Sequence, residues 1–221
     1  MKKMRGKKYL LFLFILIPLT LTVLAMAFAK SLSPFNKTAS PNSHTAIAPS
    51  IATNTPAFIW PIDNAPKRIT KLPFGLYVTP QNSPVNSKRF TGYHVGTDFE
   101  TTPAESNIDI PIKTICTGKL ALKKWASGYG GVAVQRCQLN GRPITVIYGH
   151  LKLASIQAKL NTSLPIGATL GILGQGQSVE TDGERKHLHL GIHFGSAINI
   201  LGYVQKAKDL AGWIDPASII K

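Results

Sequence analysis

The sequence predicts an all-β domain built mostly of antiparallel strands. Between Phe58 and about residue 195 the apolar residues come in short pieces separated by turn signals, without a long helical period. Asn140-Gly141, set between two well-patterned runs, is a two-residue hairpin signal. Near the C-terminus, Lys186-His187-Leu188-His189-Leu190-Gly191-Ile192-His193 alternates histidine with aliphatic residues, which is the period of a strand.

Taken in order, the chain opens with five Lys/Arg and no acid in Met1 to Lys8, followed by 21 uncharged residues from Tyr9 to Ala29. A basic start before an apolar run is an export signal, and Ala27-Phe28-Ala29 offers a small-x-small cleavage site. The run is also long enough to span a bilayer, although Pro18, Thr20 and Thr22 make it a mediocre permanent helix. Residues 1–29 are therefore expected to be a signal peptide or signal anchor. Either way the rest of the chain is exported, to the periplasm or cell surface, secreted or held at the inner membrane through residues 9–29. No cysteine directly follows the run, so a lipid anchor is not expected. Residues 30–57, rich in Ser, Thr, Pro, Asn and Ala, read as a flexible linker in which His44 is a solvated bystander.

The folded domain is expected over 58–221. Arg68 to Val78 holds two apolar pieces broken at Lys71-Leu72-Pro73-Phe74-Gly75, and Ile108 to Leu122 alternates. Ser127-Gly128-Tyr129-Gly130-Gly131 is a turn before a returning strand at Val132, and Ile144 to Tyr148 and Leu170 to Leu173 are further strands. Gln175 to Lys186 reads as a polar loop, Ala197 to Ala211 has a helix-compatible pattern, and Asp215-Pro216 begins a terminal turn. No internal repeat is present.

The formal net charge is +15, but residues 31–221 hold 19 basic and ten acidic residues, leaving +9 for the exported part. In a cytoplasmic protein this would point to nucleic acid. In an exported one it points to the anionic cell envelope or an acidic substrate, with simple solubility as the competing explanation. Nucleic acid is not expected as a partner. Cys116 and Cys137 are free to form a disulfide in an oxidising compartment, the alternative being two buried thiols.

The histidines carry the chemistry. His187 and His189 are two apart on a strand, so they share a face about 7 Å apart and can converge on one object. Buried imidazoles need partners, and a divalent metal, most often zinc, serves several histidines and a carboxylate together. Upstream lie Tyr93-His94-Val95-Gly96-Thr97-Asp98 and Tyr148-Gly149-His150-Leu151. Each motif is weak alone, since a structural histidine at a strand end is the commoner case.

In this order (H-x-G-x-D, Y-G-H-L, H-L-H) the chain resembles the lysostaphin-like, LytM-type zinc metallopeptidases that cut cell walls. The resemblance runs from about Ile69 to Trp213-Ile214-Asp215-Pro216 and includes Leu72-Pro73-Phe74-Gly75 and Gly167-Ala168-Thr169-Leu170-Gly171-Ile172-Leu173-Gly174. It implies a compact, barrel-sandwich-like β domain with a short C-terminal helix. It implies that His94, Asp98 and His189 hold Zn2+, and that His150 and His187 are unligated catalytic histidines; spacing alone leaves open which of His187 and His189 is the ligand. It also implies a zinc metalloendopeptidase acting on peptidoglycan peptide stems.

The sequence departs from that family in the charged approach Glu180-Thr181-Asp182-Gly183-Glu184-Arg185-Lys186 and in Leu190, where Phe is commoner. Neither is expected to touch a ligand, and the loop is expected to border the cleft. His193 is read as a cleft-wall or structural histidine. Three alternatives remain open: an inactive murein-binding or hydrolase-activating module, a structural zinc module closed by a fourth ligand such as His193, and a cupin-like site, whose motif order is the reverse.

Overall fold

The structure, a computed structural model, describes residues 57–85 and 89–220. The expected export segment and all but the last residue of the expected linker lie outside them. Among the described residues no helix is long and apolar enough to cross a membrane.

The strands are β1 (Tyr77–Val78), β2 (Gly92–His94), β3 (Gly96–Glu100), β4 (Pro111–Lys113), β5 (Gly118–Ala126), β6 (Gly130–Leu139), β7 (Arg142–Gly149), β8 (Ser163–Leu164), β9 (Thr169–Ile172), β10 (His187–Phe194), β11 (Tyr203–Val204) and β12 (Trp213–Ile214). Two four-residue helices, α1 (Ala65–Arg68) and α2 (Pro216–Ile219), flank them. Every strand pairing is antiparallel. The large sheet runs β12-β10-β7-β6-β5-β8, with β3 also on β10; β1-β2-β11 and β4-β9 form two small sheets.

Alternation along these strands divides the core. Leu188, Leu190 and Ile192 of β10, with Val146 and Tyr148 of β7, join the larger cluster around Phe99 and Ile115. Residues of opposite parity, Ile147, Val132 and Val134, pack with Val95, Tyr129 and Trp213. The sheet is thus covered on both faces, and β10 is buried from His187 through Ile192. The Tyr148 hydroxyl inside it is satisfied: it donates to Gln135 and accepts from the Ile115 amide, both at 3.0 Å.

The Asn140-Gly141 hairpin joins β6 and β7 in the register Leu139↔Arg142, as its turn chemistry dictates. Cys116 and Cys137 form a disulfide across Cα atoms 6.3 Å apart, so the two-thiol alternative is wrong.

The alternating run Ile108 to Leu122 forms β4 and the start of β5. Two expectations fail. Ala197 to Ala211 is not a helix: Tyr203 and Val204 pair with β2, and a 3-10 turn covers only Ala207–Gly212. The apolar residues that suggested a helix are drawn instead onto the site side of the sheet, where Ile200 and Leu210 pack against the Val95–Trp213 cluster. Finally, Asp215-Pro216 starts α2 rather than a bare turn, with the Asp215 carboxylate accepting from the Ala217 amide.

Candidate metal centre

β10 lies between β7 on one edge and, on the other, β3 and then β12. The β3 register sets Asp98 directly opposite His189 and Glu100 opposite His187. His94 ends β2 and is held by the Leu72–Leu76 segment: the His94 amide donates to the Leu76 carbonyl, the Gly75 amide to the His94 carbonyl, and the Asp98 amide to the Leu72 carbonyl. The Leu-Pro-Phe-Gly piece is therefore a brace for the site. The motif glycines make room for the His189 and Tyr129 rings. A Cβ at Gly96 would lie 2.5 Å from His189 Cε1, and one at Gly149 would lie 2.5 Å from Tyr129 and 3.2 Å from the His189 Cβ.

Three donor atoms converge. His94 Nε2 is 3.0 Å from His189 Nδ1, His189 Nδ1 is 3.1 Å from Asp98 Oδ1, and His94 Nε2 is 3.4 Å from the same oxygen. All three residues are buried, and they form a group able to hold a metal ion. Two nitrogens and an oxygen each about 2.0–2.2 Å from a tetrahedral zinc would be about 3.3–3.5 Å apart, so the triangle fits that ion with small adjustment. The outer atoms suit it as well. His94 Nδ1 faces the Pro73 carbonyl at 3.3 Å, which can only accept, so the proton belongs on Nδ1 and the Nε2 lone pair points inward. His189 Nε2 faces the Tyr129 hydroxyl at 3.3 Å, and with the proton on Nε2 its Nδ1 lone pair also points inward.

The charge states agree with the geometry. Burial alone would raise the Asp98 carboxyl, but in the chain without a metal Coulombic interaction with His187 and His94 and hydrogen bonds from His187 and His189, whose place at the triangle a metal would take, hold it well below the usual carboxylate range. Burial pushes His189 down to about 4 against the opposing pull of Asp98, so its ring is neutral near pH 7. Burial likewise drives His150 well below its ordinary value, helped by the neighbouring His187 charge.

His187 and His150 stand beside the triangle. His187 Nδ1 donates to the Arg185 carbonyl at 2.8 Å, and its Nε2 is 3.1 Å from Asp98 Oδ2. The His150 and His187 rings lie 4.1 Å apart. His150, the residue after β7, sits at φ +61°, a left-handed conformation that costs a non-glycine residue about 1–3 kcal/mol and recurs at functional sites. Its Nδ1 is buried and without a hydrogen-bond partner among the described residues.

The expectation that the charged loop touches no ligand is wrong. Arg185 Nη2 donates to Asp98 Oδ2 at 2.7 Å, while the same guanidinium grips the Glu100 carboxylate. The reason is parity: Arg185 stands two residues before His187, and Asp98 and Glu100 lie opposite His189 and His187. The loop does border the cleft as expected, through Glu184 and Arg185. That cleft, about 340 Å³, is lined by all five site residues and walled by Leu72, Phe90, Tyr129, Ile200 and Tyr203.

His193 does not line it. It packs edge-on against Trp213 at 4.8 Å and is structural. Tyr129, from the Ser-Gly-Tyr-Gly-Gly turn, and Tyr203, whose ring lies 5.2 Å from that of His94, were not singled out by the sequence. The turn marked Tyr129 as a strand end and no more; Tyr203 was hidden in the helix-compatible stretch.

The fold and centre together define an antiparallel β domain with a buried His–Asp–His group in the lining of a cleft. Among solved structures, the chain is similar to the catalytic domain of the antimicrobial peptidase lysostaphin from Staphylococcus simulans, at 21% identity and a TM-score of 0.45 over 66% of this chain and 86% of that one. It is also similar to LytU, at 24% identity and a TM-score of 0.46 over 67% and 81% of the two chains. A third likeness is to a zinc containing peptidase from Vibrio cholerae, at 22% identity and a TM-score of 0.41 over 62% of this chain and 37% of that one. No family model and no curated protein sequence matches the chain.

Proposed function

We propose that the protein is an exported zinc-dependent endopeptidase that hydrolyses peptide cross-links of peptidoglycan. The observation that carries this reading is the triangle of His94 Nε2, Asp98 Oδ1 and His189 Nδ1, with edges of 3.0–3.4 Å, beside a cleft. Three protein donors leave the fourth tetrahedral position for water, which distinguishes a catalytic from a closed structural site. Zinc bound there supplies Lewis acidity and lowers the pKa of water towards about 7.

The chain's own residues do the rest. Arg185 and His187 engage Asp98 Oδ2, so Oδ1 is the oxygen turned to the triangle. His150 is neutral near pH 7, and its ring, beside the triangle and lining the cleft, is the group that takes up a proton. His187, anchored through Nδ1 on the Arg185 carbonyl, has Nε2 against Asp98 Oδ2, and on substrate entry that atom would turn to a developing oxyanion or to the leaving amine. Leu72, Phe90 and Tyr203 keep bulk water from the scissile bond. The peptidoglycan substrate, and a location in the periplasm or at the cell surface, rest on the export segment expected over 1–29 and on the order of the three histidine motifs.

Incubating the full-length protein with purified murein and identifying released muropeptides by mass spectrometry tests this. Cleavage of stem peptides, lost with a chelator and restored by zinc, is expected. Protein that holds zinc yet cuts no murein would be a binding or hydrolase-activating module.

A further inference from the structure

The ten acidic residues are unevenly placed. None falls between Asp109 and Glu180, a stretch that holds eight Lys/Arg. Outside that stretch the arginines of the described residues are matched by carboxylates: Arg68 by Glu105, Arg89 by Asp182, Arg185 by Asp98 and Glu100. In the acid-free stretch, among the described residues, only Lys113 has a carboxylate partner, Asp63.

Two of the remaining cations are set against each other. Lys119 of β5 and Arg136 of β6 are directly opposed in the register, and both are exposed. Like charges at opposed positions repel, so the fold carries this pair at a cost. Arg136 Nε donates to the Ser196 carbonyl at 3.1 Å, which holds the guanidinium at the sheet end. There Lys119, Arg136, Ser163 and Ser196 line a groove of about 760 Å³ beside the disulfide. The register also fixes where it lies relative to the metal centre. Lys119, Arg136, Thr145 and His193 form one cross-strand row, and Lys124, Val132, Gly149 and His189 another, on the same face. The rows are four residues apart, about 13 Å along the strands.

We propose that this groove binds a linear phosphodiester polymer. A guanidinium forks onto two oxygens of one phosphate, an ammonium adds a point charge, and serine hydroxyls donate to further oxygens. A chain with one charge per repeat offers successive phosphates to Lys119 and Arg136 and then to Lys124, which is exposed and lacks a carboxylate partner among the described residues. Concavity selects a chain over a bilayer, whose flat surface reaches only the rim. The site needs no peptidase activity and stands even if the chain cuts nothing.

Binding of the full-length protein to synthetic poly(glycerol phosphate) tests this, measured from roughly 0.05 to 0.5 M salt, a range that spans strong to weak screening. Seven further basic residues lie in 1–56, so variants of the same chain are compared. Lys119→Gln/Arg136→Gln should weaken binding about 10-fold at low salt and lower the salt slope by about 1.5, as expected for two lost phosphate contacts. Lys206→Gln/Lys208→Gln, an equal loss of exposed charge, should change it less than about threefold. Lys119→Gln alone relieves a repulsion, so it should fold and melt no lower than wild type while losing part of the slope; it serves if the double variant fails to fold. Equal losses in the two double variants would overturn the proposal, since net charge alone would then act. So would polyglutamate binding as tightly as the phosphate polymer, or binding to phosphatidylglycerol vesicles without binding to the polymer.

Discussion

One strand carries His189 and His193 on the same face, four residues apart, and the two have opposite surroundings. His189 is flanked across the sheet by Asp98 and Gly149, and its ring fills space left by Gly96. His193 is flanked by Trp213 and Thr145, and its ring meets indole. The outer partner of β10 changes from β3 to β12 between Gly191 and Ile192. What makes a histidine part of the centre is therefore the strand beside it. A carboxylate opposite creates a charged, metal-competent row, and an aromatic opposite creates packing.

The largest expected effect tests that contrast directly. His189→Ala or Asp98→Ala should reduce zinc from about one per chain to near zero and abolish cleavage of muropeptides, because two protein ligands hold the ion poorly. His193→Ala should keep the full zinc content by elemental analysis. Loss of zinc in His193→Ala would make that residue a fourth ligand and break the comparison.

His150→Ala comes next. It removes a proton-transfer group without touching the triangle, so zinc should stay while turnover drops by about 10²–10⁴-fold. The same substitution relieves a left-handed backbone only slightly, since alanine is no better suited to φ +61° than histidine. A wild-type cleavage rate in this variant would remove His150 from the mechanism.

Arg185→Gln should act on the metal from behind. Deleting the cation that grips Asp98 Oδ2 and Glu100 removes support of the kind that typically costs 10–100-fold in metal affinity. Competition with a fluorescent chelator measures it, and unchanged affinity would make Arg185 merely a loop anchor.

Arg185 also marks the limit of what the sequence could convey. The strand of H-L-H, the hairpin at Asn140-Gly141 and the three motifs were legible because period and turn chemistry are local. The convergence of His94, Asp98 and His189 was legible only through the order of the motifs, since it depends on the β3–β10 register. Arg185 was not, because charge in a polar loop reads as solvation until a buried carboxylate is known to lie opposite. The stretch 197–211 was misread for the same reason: its apolar residues answer to the sheet they cover rather than to each other.

The smallest effect sharpens the contrast from the other end of β10. Burial lowers the pKa of His193, whose Nδ1 has no hydrogen-bond partner among the described residues, so its neutral ring is favoured in the folded form. The unfolded chain takes up a proton at His193 near pH 6.5, before the folded chain does. The stability this group contributes is therefore complete above about pH 6.5 and lost as pH falls through the lower folded value. His193→Gln should flatten that part of the curve: the wild type should lose melting temperature more steeply than the variant between about pH 7 and 5, with chelator present in both. Contributions from His150 and His189 cancel in the difference. Parallel curves would mean that the ring against Trp213 is already solvated, and that β12 does not shield the far end of the strand in the way β3 shields the centre.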